Sequence, residues 1–386
     1  VNVIFLSPQF PPQFHLFCRA LKEEGATVLG LADVPFEALA PELREVLTSY
    51  YCVTDMSRYD DVLRGVAFFI HRHGRIHRID SLNEHWLELE ARLREDFNIP
   101  GQRPSDTARN RSKSSMREIF RQAGVPCSEG ERLTSRDHAW ALAARFGYPL
   151  VLKPDVGVGA AKTFRVESDA QLAEALEQPL EGYVVERFET GRLVSFDGLT
   201  DRSGRVVFAT SHVFSSGIME IVNRGMTMHY YSRREIPPLL EELGRKTLAA
   251  FSVRERFFHI EFFETDDGGY RALEINVRPP GGFTTDMMNF SADIDIYRLW
   301  AKVLCGRDVS HFRYDRKYFC AYVGRRDGVR YALSAEEVLS YLHDTRSAHG
   351  NMPAVLAGAL GNQYFIFRDR ELEPLLTAIA ELEETI

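Results

Sequence analysis

Along the first hundred positions the apolar residues keep two rhythms. Short apolar runs at residues 3–6 and 27–31 alternate with stretches of helical period, the first from about 13 to 24 and stopped by Gly25. Strands alternating with helices predict a small parallel sheet covered by helices. Pro100-Gly101 and the polar residues up to Arg111 read as a linker. A helix then spans about 112–123, closed by Gly124, and another spans 136–146, with Ser135 as N-cap and Gly147 as stop. Residues 150–188 run strand, glycine loop, strand, helix capped by Ser168, strand, which makes a small α+β unit. Two strands at 193–214 flank the turn Asp201-Arg202-Ser203-Gly204. A helix at about 237–251 leads into an apolar strand at 257–264, and a hairpin closes over Thr265-Asp266-Asp267-Gly268-Gly269. Beyond Gly306 the pattern is two strands, a helix near 334–343, a strand near 363–367 and a terminal helix. The expected class is α/β combined with α+β, in four units at 1–105, 106–192, 193–305 and 306–386.

Composition narrows the functional classes. With 386 residues, 45% hydrophobic and 26% charged, the chain fits several ordinary globular cores. A net charge of -8 argues against nucleic-acid binding as its main task. Cys18, Cys52, Cys127, Cys305 and Cys320 are odd in number and spread out, unlike zinc-site pairs, and fit a reducing cytosol. No apolar run reaches the roughly 20 residues of a bilayer span, and no basic leader precedes Val3. A cytoplasmic protein without membrane contact is expected.

Two stretches carry candidate chemistry. Residues 150–162 end a strand at Lys153 and enter a loop with Gly157 and Gly159, where backbone amides and an ammonium group match dense negative charge. An ordinary tight loop has the same composition. The turn Ser7-Pro8-Gln9-Phe10 has no G-x-G-x-x-G, which disfavours a dinucleotide. Further on, Glu274, Asn276 and Arg278 alternate and so share one face for as long as the strand lasts. Pairing Glu264 with Arg271 across the turn sets Glu261 opposite Glu274, two carboxylates that repel unless a cation lies between them. Oxygen-only ligands of this kind suit magnesium shared with phosphates. A register shifted by one residue would send the two glutamates to opposite faces instead.

Together these residues resemble the ATP-grasp superfamily over roughly residues 80 to 305, and its carboxylate-amine ligase branch above all. The resemblance is carried by Lys113, Lys153 with its glycine loop, Val184-Val185-Glu186-Arg187-Phe188, Glu261 and Glu274-Ile275-Asn276-Val277-Arg278 in that order. It implies a pre-ATP-grasp α/β domain, a lid subdomain, a catalytic subdomain and a C-terminal domain in the four units above. It also implies ATP held by Lys113 and Lys153, with Gly157, Gly159, Ala160 and Ala161 folding over the phosphates. Glu186 and the backbone of Arg187 and Phe188 would line the adenine pocket. Glu261, Glu274 and Asn276 would bind Mg2+, with Mn2+ as a substitute, and Arg278 would steady the transferred phosphate. A carboxylate substrate would sit at Arg278, Gly281 and Gly282, an amine would take its acyl group, and homodimers occur in the family. Leu193 stands where relatives carry an acidic ribose contact, which makes Glu189 the substitute candidate. Val277 replaces a proline frequent in relatives. Within the same superfamily a biotin-type carboxylase or a purine-pathway ligase is the alternative, although no Met-Lys-Met attachment sequence occurs; outside enzymes, the alternative is a nucleotide-binding regulator.

Other features have simpler readings. His71, His73 and His77 with Arg72, Arg75 and Arg78 lack acidic or cysteine partners and read as a solvated basic edge. Phe257-Phe258 and Phe262-Phe263 read as core. The segment 215–235, with Arg224, His229, Tyr230, Tyr231, Arg233 and Arg234, is a candidate substrate loop.

Overall fold

Four strands open the chain: β1 (Asn2–Leu6), β2 (Thr27–Ala32), β3 (Ser49–Cys52) and β4 (Arg78–Asp80). They form a parallel sheet in the order β3-β2-β1-β4. β1 reads as an unbroken apolar run because both its faces are covered. Val3 and Phe5 pack into the core that holds Phe17 and Trp300, while Ile4 and Leu6 meet Val62, Val66 and Phe69 of the helix Tyr59–His73. The first of these cores joins the N-terminal unit to the helix Ile296–Leu304, so the loops after β1 and β4 are held against the middle of the chain. The computed structural model describes residues 1–157, 163–215 and 227–386.

Where a linker was expected, the structure has the helix Pro104–Arg111. Proline at its first turn is preorganised for helix, and the Asp106 carboxylate accepts the Arg103 N–H at 2.9 Å, so a polar, proline-led segment still nucleates. The other caps follow the sequence. Ser112, Ser135 and Ser168 each accept an N–H three residues on, and Gly147 ends its helix at φ 73°.

A second sheet joins β5 (Gly130–Arg132), β6 (Leu150–Pro154), β7 (Phe164–Val166) and β8 (Tyr183–Arg187) in the antiparallel order β5-β8-β6-β7. The three-residue β5 is too short to show a period and was absent from the sequence pattern.

The largest sheet contains β9 (Arg192–Thr200), β10 (Val206–Thr210), β11 (His212–Phe214), β12 (Met228–Ser232), β13 (Phe257–Glu264), β14 (Tyr270–Asn276), β15 (Phe319–Arg325), β16 (Arg346–Asn351) and β17 (Gln363–Asp369). Its order is β14-β13-β9-β11-β12-β15-β17-β16, with β10 on β9. Strands after residue 306 thus extend the same sheet through the β12–β15 pairing, and the 305/306 division is not a break in hydrogen bonding. One face of β9 and β13, with Val194, Phe196, Ile260 and Phe262, packs on Leu240, Leu243 and Leu248 of the helix Pro238–Ala250. The aromatic pairs Phe257-Phe258 and Phe262-Phe263 are core at 257, 258 and 262. Among the described residues no helix is long and apolar enough to cross a membrane.

Candidate active site

The hairpin β13–β14 sets the site. Glu264 pairs with Tyr270 and Phe262 with Ala272, one residue out of the expected register. Leu273 is then left over as a bulge, and Glu261 pairs with Glu274 after all. The shift that would have parted the two carboxylates is thereby cancelled. On the same face the Asn276 side-chain N–H donates to Glu274 Oε1 at 3.0 Å, and His259 Nε2 lies 2.9 Å from Glu261 Oε1. The second oxygen of each glutamate and Asn276 Oδ1 have no protein partner among the described residues. Such an oxygen set fits a small hard cation. Among the described residues no three His, Cys, Asp or Glu side chains converge as a metal cluster.

The lysines come from the facing layer. Lys153, at the end of β6, places Nζ 2.7 Å from Glu186 Oε2 on β8, and Arg117 contacts the other oxygen of Glu186. Burial pushes the Glu186 carboxyl up, but Lys153 and Arg117 outweigh it and hold the group below its ordinary range. Glu186, expected to line an adenine pocket, is thus first a counter-ion for two cations, and Arg117 is a site neighbour that the sequence did not single out. Lys113, at the start of the helix Lys113–Gln122, donates to the Gly157 carbonyl at 3.2 Å. Burial and the nearby Lys153 push its ammonium down, against the opposing pull of Glu274. The helix start is latched to the glycine loop by buried Asp155, which accepts the Ser114 N–H at 2.8 Å and the Ser112 and Ser114 hydroxyls at 3.1 and 2.9 Å. Gly159, Ala160 and Ala161, and Arg224 of the 215–235 segment, lie outside the described residues.

The Arg187 and Phe188 N–H groups already donate to the carbonyls of Glu129 and Pro149, at 2.9 and 3.0 Å. Any contact from these two to a base must therefore come from a carbonyl or a side chain. Phe188 and Glu189 do line a cleft of about 1100 Å3, together with Arg165 on one side and Leu193, Phe214 and Phe263 of the large sheet on the other. Glu189 lies 3.3 Å from Arg271 Nε. Lys113, Lys153, Glu261 and Glu274 are not in that part of the cleft.

The N-terminal unit reaches the loop after β14. Arg278 Nε donates to Glu84 Oε2 at 3.1 Å, and the Gln13 side-chain N–H donates to the Gly282 carbonyl at 2.8 Å. Gly282 sits at φ 64°, and a Cβ there would come within 3.2 Å of Leu360 and 3.4 Å of the Tyr230 hydroxyl; Gly281 faces open space. The left-handed conformation favours glycine at 282, and the close neighbours add to that preference. At the start of β1 the Asn2 N–H donates to His77 Nδ1 and its side-chain N–H to the His73 carbonyl, so the imidazole of His77 is bonded to the sheet and not simply solvated.

Asp286, in the first turn of the helix Thr284–Ala292, has Oδ2 enclosed without a hydrogen-bond partner among the described residues. Burial, only partly offset by Tyr297, pushes its carboxyl from 3.8 up to about 6. A folded-state pKa above the unfolded one means that the contribution to stability is full below pH 3.8 and lost as pH rises through 6. At about 1.4 kcal/mol per pH unit, the charge costs the fold on the order of 3 kcal/mol above that range. Asp286→Asn is therefore expected to melt several degrees higher than the parent at pH 8 and no higher at pH 3.5. Equal shifts at both pH values would refute this cause.

A small antiparallel sheet and a large one, with a lysine at a strand end of the first and paired carboxylates on the second, is the architecture of the ATP-grasp fold, and this chain has that fold. No family model matches the sequence. The chain is similar in structure to an L-amino acid ligase from Bacillus licheniformis, at 16% identity and a TM-score of 0.75, over 100% of this chain and 98% of that one. It is similar to N5-carboxyaminoimidazole ribonucleotide synthetase from Thermotoga maritima at 15% identity and a TM-score of 0.67, over 99% and 98%. It is also similar to the biotin carboxylase domain of 2-oxoglutarate carboxylase from Hydrogenobacter thermophilus, solved with MgADP and bicarbonate, at 15% identity and a TM-score of 0.70, over 99% and 89%.

Proposed function

We propose that the protein is an ADP-forming carboxylate-amine ligase. The observation that carries this reading is the bulge-set pairing of Glu261 with Glu274, whose charge is felt by the Lys113 ammonium, with Arg278 in the loop just after β14. In this reading a carboxylate oxygen of the substrate attacks the γ-phosphorus of ATP and ADP leaves, giving an acyl phosphate. An amine nitrogen then attacks the acyl carbon, phosphate leaves, and one amine proton passes to solvent. Lys113 and Lys153 hold the phosphates. Asp155 keeps the helix carrying Lys113 and the loop carrying Gly157 in one piece, so both follow the nucleotide together. The Arg278 guanidinium, aimed by Glu84, faces the transferring group, and Gly281-Gly282 lets the backbone approach the acid. Glu261, Glu274 and Asn276 are the residues that would hold Mg2+, which neutralises charge on the phosphate oxygens. The similarity to an amino acid ligase at full length of both chains supports amino acids as the first substrates to try.

The test is the nucleotide product. Incubation with ATP, Mg2+ and pairs of amino acids, with bicarbonate as a separate arm, is expected to release ADP and phosphate only when an acceptable acid is present. AMP and pyrophosphate as the main products would overturn the acyl-phosphate route, and turnover with bicarbonate alone would move the protein to the carboxylases.

A further inference from the structure

We infer that His259 is a positioning residue which, braced by Asp197, presents Glu261 to the divalent cation through one oxygen only. This rests on the reading of Glu261 as a metal ligand given above. In the β9–β13 register Asp197 pairs with His259 and Ser195 with Glu261, so all four side chains project from one sheet face. His259 Nδ1 lies 2.5 Å from Asp197 Oδ1 and Nε2 lies 2.9 Å from Glu261 Oε1. Both acceptors are carboxylate oxygens, so both ring nitrogens donate and the ring cannot turn without losing a bond.

Asp197 is itself immobile. It is fully buried, and its second oxygen takes His212 Nδ1 at 2.6 Å and the Ser195 hydroxyl. Three donors from three positions therefore hold the carboxylate that holds the imidazole that holds Glu261. On the opposite strand Asn276 occupies one oxygen of Glu274 in the same manner. Each glutamate is left a single oxygen for a cation. Calcium takes carboxylates in a bidentate way and tolerates loose geometry, whereas Mg2+ and Mn2+ take single oxygens in a near-octahedral array. The brace thus contributes selectivity for the smaller ions as well as affinity. The sequence signals were the alternations Ser195-x-Asp197 and His259-x-Glu261 on two strands, which only their pairing makes into one network.

The experiment titrates Mn2+, and separately Ca2+, into the ADP-bound protein, following free Mn2+ by electron paramagnetic resonance and Ca2+ by calorimetry. His259→Gln carries both its N–H donors on one nitrogen, which cannot span the two carboxylates as the two ring nitrogens do. Mn2+ binding is expected to weaken by roughly 10- to 100-fold, the range usual for partners that orient metal ligands. The preference for Mn2+ over Ca2+ should shrink, and metal-free ADP binding should change by less than about threefold. Asp197→Asn, isosteric and one strand away from Glu261, should shift the same constants in the same direction, and it carries the test if His259→Gln does not fold. Unchanged Mn2+ affinity and unchanged ion preference in a folded variant would overturn the inference, provided Glu261→Gln lowers Mn2+ affinity. If Glu261→Gln has no effect either, the fault lies with the metal reading of Glu261 itself.

Discussion

Glu274→Gln is expected to give a folded, soluble protein that binds nucleotide and turns over roughly 10² to 10⁴ times more slowly. The side chain keeps its size, and its Oε1 can still accept the Asn276 N–H, so the β13–β14 ladder and its bulge stay intact. What is lost is one negative charge opposite Glu261. Two effects on stability oppose each other: repulsion between the paired carboxylates falls, and the attraction between Glu274 and the Lys113 ammonium disappears. The melting temperature should therefore stay within a few degrees. Catalysis has no such cancellation. A cation lacking an anionic ligand stabilises the charge on the transferring phosphate less by several kcal/mol, and each 1.4 kcal/mol is about tenfold in rate. Excess Mg2+ should recover only part of the loss. Turnover, nucleotide titration and thermal melting of the purified variant measure the three clauses, and near-normal turnover with an intact fold would remove Glu274 from the ligand set.

Arg278→Lys is expected to lower kcat by roughly 10² to 10³ while nucleotide affinity stays within about threefold, because lysine keeps the charge and discards the geometry. Arg278 uses Nε on Glu84 and Nη1 on the Pro279 carbonyl, which fixes the plane of the guanidinium and leaves Nη2 directed by two anchors. A lysine ammonium is a point charge on a flexible stem and cannot be aimed in this way. The loss belongs to the transition state, where donors placed in advance act most strongly. Glu84→Gln should reproduce part of the defect, since it removes an anchor and leaves the arginine. Single-turnover formation of ADP decides the matter: a variant that forms ADP at the parent rate would show that Arg278 does not touch the transferring group.

The architecture was legible in the chain to the extent that local forces determine it. Helix stops at Gly25 and Gly147 and serine caps at 135 and 168 arise from backbone groups within four residues of one another. The apolar run of β1 and the alternation of Glu274 with Asn276 likewise follow from one strand's own geometry. The helix Pro104–Arg111 was missed because its polar residues mask a cap that depends on one aspartate. The continuity of β12 with β15 pairs residues about ninety positions apart, and no periodicity carries that information.

The site divides along the same line. The sequence by itself determined which groups were present and which faces they shared within a strand: Lys153 beside a glycine loop, and Glu274 with Asn276. Only the tertiary structure decided what faced what. Register has a period of two, so a single residue moves every side chain to the other face, and the bulge at Leu273 alone restores Glu261 to Glu274. No role could be read in the sequence for Arg117, Asp155, Asp197, Glu84 or His259, even where an alternation marked them, because a charge or imidazole is defined by its partner. Those partners stand 69 positions away for Arg117, 41 for Asp155, 62 for Asp197 and 194 for Glu84. Hydrogen bonds reach about 3 Å whatever the separation along the chain, and packing alone brings such groups within that distance.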